Sequence, residues 1–150
     1  RQAQLEVDLM AAVEPRPGVV ALIEELTASG VRISAASNSR TGWVRQQLER
    51  VALVHHFSAL YGRDRVPRPK PEPDVYLAAT RGVGADPSWS VAVEDSRAGV
   101  TAAVAADLTT VACPNAITAA MDLSAAHWHV PSLEGVGVAH LRDLVAGRRG

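Results

Sequence analysis

Fourteen of the fifteen basic residues in this chain are arginine, and the single lysine, Lys70, lies in Arg68-Pro69-Lys70-Pro71-Glu72-Pro73-Asp74. Arginine is a wide planar fork, whereas lysine is a compact point charge on a thin stem and suits a narrow pocket holding an anion. The prolines on either side restrict the backbone that carries it. Twenty-four residues later an adjacent acid pair, Glu94-Asp95, follows the apolar run Ser90-Val91-Ala92-Val93. Paired carboxylates offer hard oxygen ligands to a divalent cation. A third polar cluster, Ser37-Asn38-Ser39, closes the stretch Val31-Arg32-Ile33-Ser34-Ala35-Ala36. Together these residue types suit cation-assisted handling of a phosphate group.

The elements that must position them alternate between helical and extended patterns, which predicts an α/β layered fold with a mostly parallel sheet. Residues 3–13 read as a short helix closed by Pro15-Arg16-Pro17. Apolar residues at 19, 22, 23 and 26 share a helical face, and Gly30 ends that helix. Strands are expected at 31–36, 59–61, 90–93 and 108–112. Helices are expected at 41–53, 71–81 and 96–106, with a helical tail at 133–145. Ser37-Asn38-Ser39 and Glu94-Asp95-Ser96 then both follow a strand and precede a helix. That is where open α/β sheets bind ligands and where helix N-termini offer free N–H groups to anions.

The 150 residues fit one domain, with roughly 70% of the unfolded surface buried. A net charge of −1 gives no electrostatic reason to expect nucleic acid or an acidic membrane as partner. One cysteine forbids an internal disulfide and fits a reducing compartment. No apolar run approaches the roughly 18 residues that span a bilayer. A cytoplasmic protein is the expectation. His127 and His129 lack a third ligand and read as flanks of Trp128 at a sheet edge, and Cys113 reads as a buried structural thiol.

In this order the pieces resemble the haloacid dehalogenase superfamily, in its branch of β-phosphoglucomutase-like sugar-phosphate phosphatases. Ala35-Ala36-Ser37-Asn38-Ser39 is similar to the family's second motif, Lys70 in Lys-Pro-Glu-Pro-Asp-Val-Tyr to its third, and Val93-Glu94-Asp95-Ser96-Arg97-Ala98-Gly99-Val100 to its fourth. Pro15-Arg16-Pro17-Gly18-Val19 resembles the hinge where the chain returns from a mobile cap. The resemblance implies a three-layer Rossmann-like core over residues 15–150, with residues 1–14 as the end of a cap or linker helix. It implies a Mg²⁺-dependent phosphatase acting on small phosphorylated metabolites. Ser37 and Lys70 would be catalytic, Ser37, Asn38 and Lys70 would bind the substrate, and Glu94 and Asp95 would hold Mg²⁺. A mutase of the same branch is the alternative reaction.

The family's first motif, a hydrophobic strand ending in Asp-x-Asp whose first aspartate is the nucleophile, has no counterpart in these residues. Asp8, the nearest candidate, lies in a helix-like segment. In the family that strand lies between those ending at Ser37 and Glu94. Its absence predicts a weakened core and a gap through which another segment could pair. A C-terminal fragment of a longer hydrolase is the expectation, inactive by itself. The rival reading is a catalytically inactive module that binds phosphate or Mg²⁺ or is completed by a partner. Asp107 stands where the family favours glycine, and Arg63-Asp64-Arg65 where it often carries two acids.

Overall fold

The computed structural model describes residues 15–150, and the expected N-terminal helix and Asp8 lie outside them. The described chain alternates as expected: α1 (Val19–Ala28), β1 (Ser34–Ala36), α2 (Thr41–Arg50), β2 (Ala59–Tyr61), α3 (Asp74–Gly82), β3 (Val91–Glu94), α4 (Arg97–Ala105), β4 (Thr109–Ala112), β5 (Trp128–His129) and α5 (Val138–Arg149). This is the α/β architecture of a Rossmann-like core. All strand pairings are parallel, with Ser34 opposite Ala59, Val91 opposite Thr109 and Val111 opposite Trp128.

Helices cover both faces. Val75 and Tyr76 of α3 and Ala102, Ala103 and Ala106 at α4 pack with Ala92 and Leu108 on one side. Leu22 of α1 and Leu141 of α5 pack with Val111, Cys113 and Val130 on the other. Both faces of β4 are therefore shielded, and all four of its residues are buried. Such strands read as continuous apolar or β-branched runs, as Thr109-Thr110-Val111-Ala112 does. Each fully buried valine, such as Val75, Val100 or Val111, contributes about 1.5–3 kcal/mol.

Several boundaries differ from the sequence pattern: β1 starts at Ser34 rather than 31, and α2 ends at Arg50 rather than 53. The third helix starts at Asp74 rather than 71, because residues 70–73 form turns with Pro73 at the helix entry. The tail helix starts at Val138 rather than 133. Gly135 takes a left-handed φ of 77°, and Gly137 is the helix cap.

The described strands form two sheets, β1–β2 and β3–β4–β5. Lys70 reaches Ala36 at the end of β1 and Glu94 at the end of β3, so the two strands finish at the same place. Between them lies a cavity of about 1180 Å³, bordered by residues 33–37 and 91–95. The hydrogen bonds from Ser58 to Ile33 and from Ser37 to Tyr61 turn those peptide groups toward β2. By alternation, Ser34 and Ala36 face the cavity. Thr109 and Cys113 bond Ser90 and Glu94, which leaves the peptide groups of Val91 and Val93 facing the cavity from the other side.

Candidate active site

The Ser37 loop is fixed from below by β2 and from above by the helix it opens. The Ser37 amide donates to the Tyr61 carbonyl at 2.9 Å, and the Ser39 amide donates to Ser37 Oγ at 3.0 Å. Helix α2 carries no cap of its own at Arg40; instead Asp64 Oδ1 accepts from the Thr41 amide at 2.7 Å. That bond holds the Asp64 carboxyl below the usual carboxylate range, with desolvation opposing it. Gly62 closes the same corner. A Cβ there would lie 2.3 Å from the Thr41 nitrogen and 2.4 Å from the Ser39 carbonyl, so only glycine fits.

Lys70 crosses to the ends of both bordering strands. Its Nζ donates to the Ala36 carbonyl at 2.9 Å and to Glu94 Oε2 at 2.5 Å. The Lys70 side chain is 10% exposed and that of Glu94 7%. A buried charge is tolerated only when it is paired and hydrogen-bonded, and a third group joins this pair. The Tyr76 hydroxyl donates to Glu94 Oε2. Lys70 Nζ also stands 5.1 Å from the centre of the Tyr76 ring, within cation–π range. Burial, and then the Glu94 carboxylate, push the Tyr76 phenol well above its ordinary pKa, so it stays a donor.

The acid pair diverges. Glu94 turns into the protein, where its carboxyl group rests on Gly99 of α4. A Cβ at Gly99 would lie 1.8 Å from Oε1. Asp95 is half-buried, and its Oδ2 accepts from Asn115 Nδ2 at 3.0 Å. Asn115 is itself anchored: its Oδ1 accepts from the Ile117 and Thr118 amides at 2.8 and 2.9 Å. Ser96 caps α4 by accepting from the Gly99 amide. Arg16 clamps the same loop, donating to the carbonyls of Cys113 and Pro114, each at 2.8 Å.

Ser37, Lys70, Glu94 and Asp95 thus all lie against the cavity between the strands. Asn38 stands beside them with its amide engaged by the main chain of Lys70. Among the described residues no group of three or more His, Cys, Asp or Glu gathers as a metal site. The Asp95 carboxylate nevertheless fits Mg²⁺, which keeps several waters and takes one or two carboxylates together with a substrate phosphate, whereas the Glu94 carboxylate is engaged by Lys70 and Tyr76. The other tempting residues have structural partners. His127 Nδ1 accepts from the Thr110 amide, His129 Nε2 meets the Leu123 carbonyl, and Cys113 is buried.

Sequence reasoning missed Tyr76, Gly99 and Asn115 as parts of the site. The glycine had a signal, since an otherwise alanine-rich helix carries it at a cost of about 1 kcal/mol. The other two act across 18 and 20 residues of chain, a spacing that no periodic pattern encodes.

The family model for haloacid dehalogenase-like hydrolases matches residues 3–113. The chain belongs to that family. Among curated proteins, the haloacid dehalogenase-like chain is 34% identical over 146 residues to Protein CbbY of Rhodobacter capsulatus, covering 95% of this chain and 64% of that protein. A structure of CbbY from Rhodobacter sphaeroides in complex with xylulose-(1,5)bisphosphate superposes with a TM-score of 0.83 at 30% identity, covering 93% of this chain and 64% of the other. β-Phosphoglucomutase from Clostridium difficile shares the fold, with a TM-score of 0.82 at 19% identity. The chain therefore spans a little under two thirds of the length of these three relatives.

Proposed function

We propose that this chain carries the phosphate-handling part of a Mg²⁺-dependent phosphatase acting on small phosphorylated metabolites such as sugar phosphates. The observation that carries the reading is the buried Lys70 ammonium, set between two strand ends beside Glu94 and Asp95. A phosphoryl group in transfer spreads negative charge over its equatorial oxygens, so catalysis is mainly placement and charge stabilisation. Ser37 donates its hydroxyl to one oxygen and Lys70 neutralises another. Asp95 would be an oxygen ligand for Mg²⁺, the Glu94 carboxyl group would join it only by leaving Lys70 and Tyr76, and the cation when bound would neutralise further phosphate charge. The relative bound to xylulose-(1,5)bisphosphate supports a sugar phosphate as substrate class.

The family's reaction runs through an aspartyl-phosphate, and the residues here contain no Asp-x-Asp. We therefore place the nucleophile on a segment that enters the cavity between β1 and β3 as a parallel strand. Leu22, Ile23 and Leu26 line one side of that cavity and Tyr76, Ala79 and Val83 the other. A strand covered on both faces is a continuous apolar run. Its C-terminal end reaches Lys70, where a carboxylate finds its counter-ion. A partner-completed, non-catalytic module is the second reading, favoured by the same open edges.

Calorimetric titration with inorganic phosphate in the presence of Mg²⁺, with folding checked by circular dichroism, tests the assignment. The wild type is expected to bind saturably. Lys70→Ala and Asp95→Ala are each expected to weaken binding about tenfold or more, as losing a charge-assisted contact does. Equal affinity in all three proteins would overturn it.

A further inference from the structure

We propose that Asn38 is a positioning residue for Lys70, acting on the reaction through the lysine rather than through the substrate. Asn38 Oδ1 accepts from the Lys70 amide at 2.8 Å, and Asn38 Nδ2 donates to the Lys70 carbonyl at 3.2 Å. One side chain thus holds both main-chain polar groups of one residue. Only a carboxamide can do this, since it presents an acceptor and a donor side by side; aspartate lacks the donor and serine cannot span both.

The segment it grips needs holding. Residues 66–73 form neither helix nor strand, and four of them, Pro67, Pro69, Pro71 and Pro73, have no N–H to donate. The other end of Lys70 is held by the same strand terminus, because Nζ donates to the carbonyl of Ala36, two residues before Asn38. The end of β1 therefore fixes the root and the tip of the lysine together. A long flexible stem fixed at both ends keeps its ammonium in one place, which is what charge stabilisation of a transferring phosphoryl group demands. The proposal rests on Lys70 being the phosphate-neutralising cation.

The sequence provides an unusual probe, since Lys70 is the chain's only lysine. Labelling with ¹³C,¹⁵N-lysine yields a single set of side-chain resonances, and reductive methylation of the ε-amine reports a single site. In the wild type the Lys70 ε-methylene signal is expected away from the free-lysine position. In Asn38→Ala it should move toward that position, and Lys70 should methylate about tenfold faster, the effect of losing two hydrogen bonds. Asn38→Asp keeps the acceptor and loses the donor, so it should fall between the two; it carries the test if the alanine variant does not fold. Leu141→Ala, which weakens the distant α5 packing, should leave the Lys70 signal in place and shows that destabilisation alone does not move it.

A folded Asn38→Ala or Asn38→Asp protein with an unmoved Lys70 signal and an unchanged methylation rate overturns the proposal, even if Lys70→Ala abolishes phosphate binding. A moved signal supports it; if phosphate affinity then proves indifferent to Lys70, the hold of Asn38 on the lysine stands and its bearing on the reaction falls with the phosphatase reading.

Discussion

Replacing Gly99 by alanine sets two effects of opposite sign against each other, and the structure decides which wins. Gly99 lies within α4, where alanine is the better helix former by about 1 kcal/mol. The new methyl group, however, would lie 1.8 Å from Glu94 Oε1 and 2.1 Å from its carboxyl carbon. A side-chain tip can usually swing aside at little cost. This one cannot, because the same carboxylate accepts from Lys70 and from the buried Tyr76 hydroxyl. Displacing it leaves a buried ammonium and a buried phenol without their acceptor. Breaking a buried pair costs about 3–5 kcal/mol. The net expectation is a loss of about 2–4 kcal/mol, or about 5–15 °C in Tm for a domain of this size. Urea titration followed by far-ultraviolet circular dichroism, in a stabilising osmolyte so that the native baseline is resolved, measures it. The control is the same substitution in a Glu94→Ala background. With the carboxylate gone, Gly99→Ala should stabilise by about 0.5–1 kcal/mol, and the reversal of sign is the coupling between the two positions. An unchanged or raised stability in the single variant, or an equal loss in both backgrounds, would refute the reasoning.

Two further outcomes are expected. The Thr110 amide donates to His127 Nδ1 at 2.9 Å, and burial, then the cations of Arg148 and Arg149, hold the His127 pKa below its usual value against the pull of Asp107. The unfolded chain then takes up a proton that the folded chain refuses, so this contribution is present above about pH 6.5 and is lost as the pH falls through the lower folded value; His127→Gln should reduce the difference in urea midpoint between pH 7.5 and pH 5.5. A synthetic apolar segment of about five residues followed by Asp-x-Asp should enter the cavity between β1 and β3 and slow hydrogen exchange at the amides of Ser34, Ala36, Val91 and Val93. Failure to protect these amides would remove the strand from the proposed function.

What the sequence made legible was chemistry held close to regular elements. Ser37 and Glu94-Asp95 stand at the ends of strands whose apolar runs are plain, and a lone lysine among arginines is conspicuous in any reading. The pairing of Trp128 into a sheet, beside two histidines without a metal pattern, was legible for the same reason. What stayed hidden depends on tertiary approach. Asn38 looks like a group for the substrate until Lys70, 32 residues away, is seen lying across its amide. Tyr76 looks like one more apolar position of α3 until Glu94 turns inward to meet it. Gly135 and Gly137 set the start of α5 through backbone conformation, which the apolar periodicity of the tail does not register.

The division of the described strands into two sheets gives these contacts a further meaning. An edge strand with open N–H and C=O groups is normally blunted by charge, proline or a bulge. Here the edge at Val93 carries none of these, and the side chain is 39% exposed. Ser34, on the facing edge, has a buried hydroxyl without a partner. The upper end of the cavity is furnished with charge by Lys70, Glu94 and Asp95, while Arg32, Glu134 and Arg142 stand elsewhere on its lining. Apolar walls along the strands and ionic groups at their ends are what an apolar strand with a carboxylate beyond its last residue requires. The same arrangement would repel a polar loop, which could not satisfy its side chains between α1 and α3, and it would leave Lys70 without an incoming partner if the strand ran antiparallel. Direction and composition of the occupant thus follow from the walls it must meet.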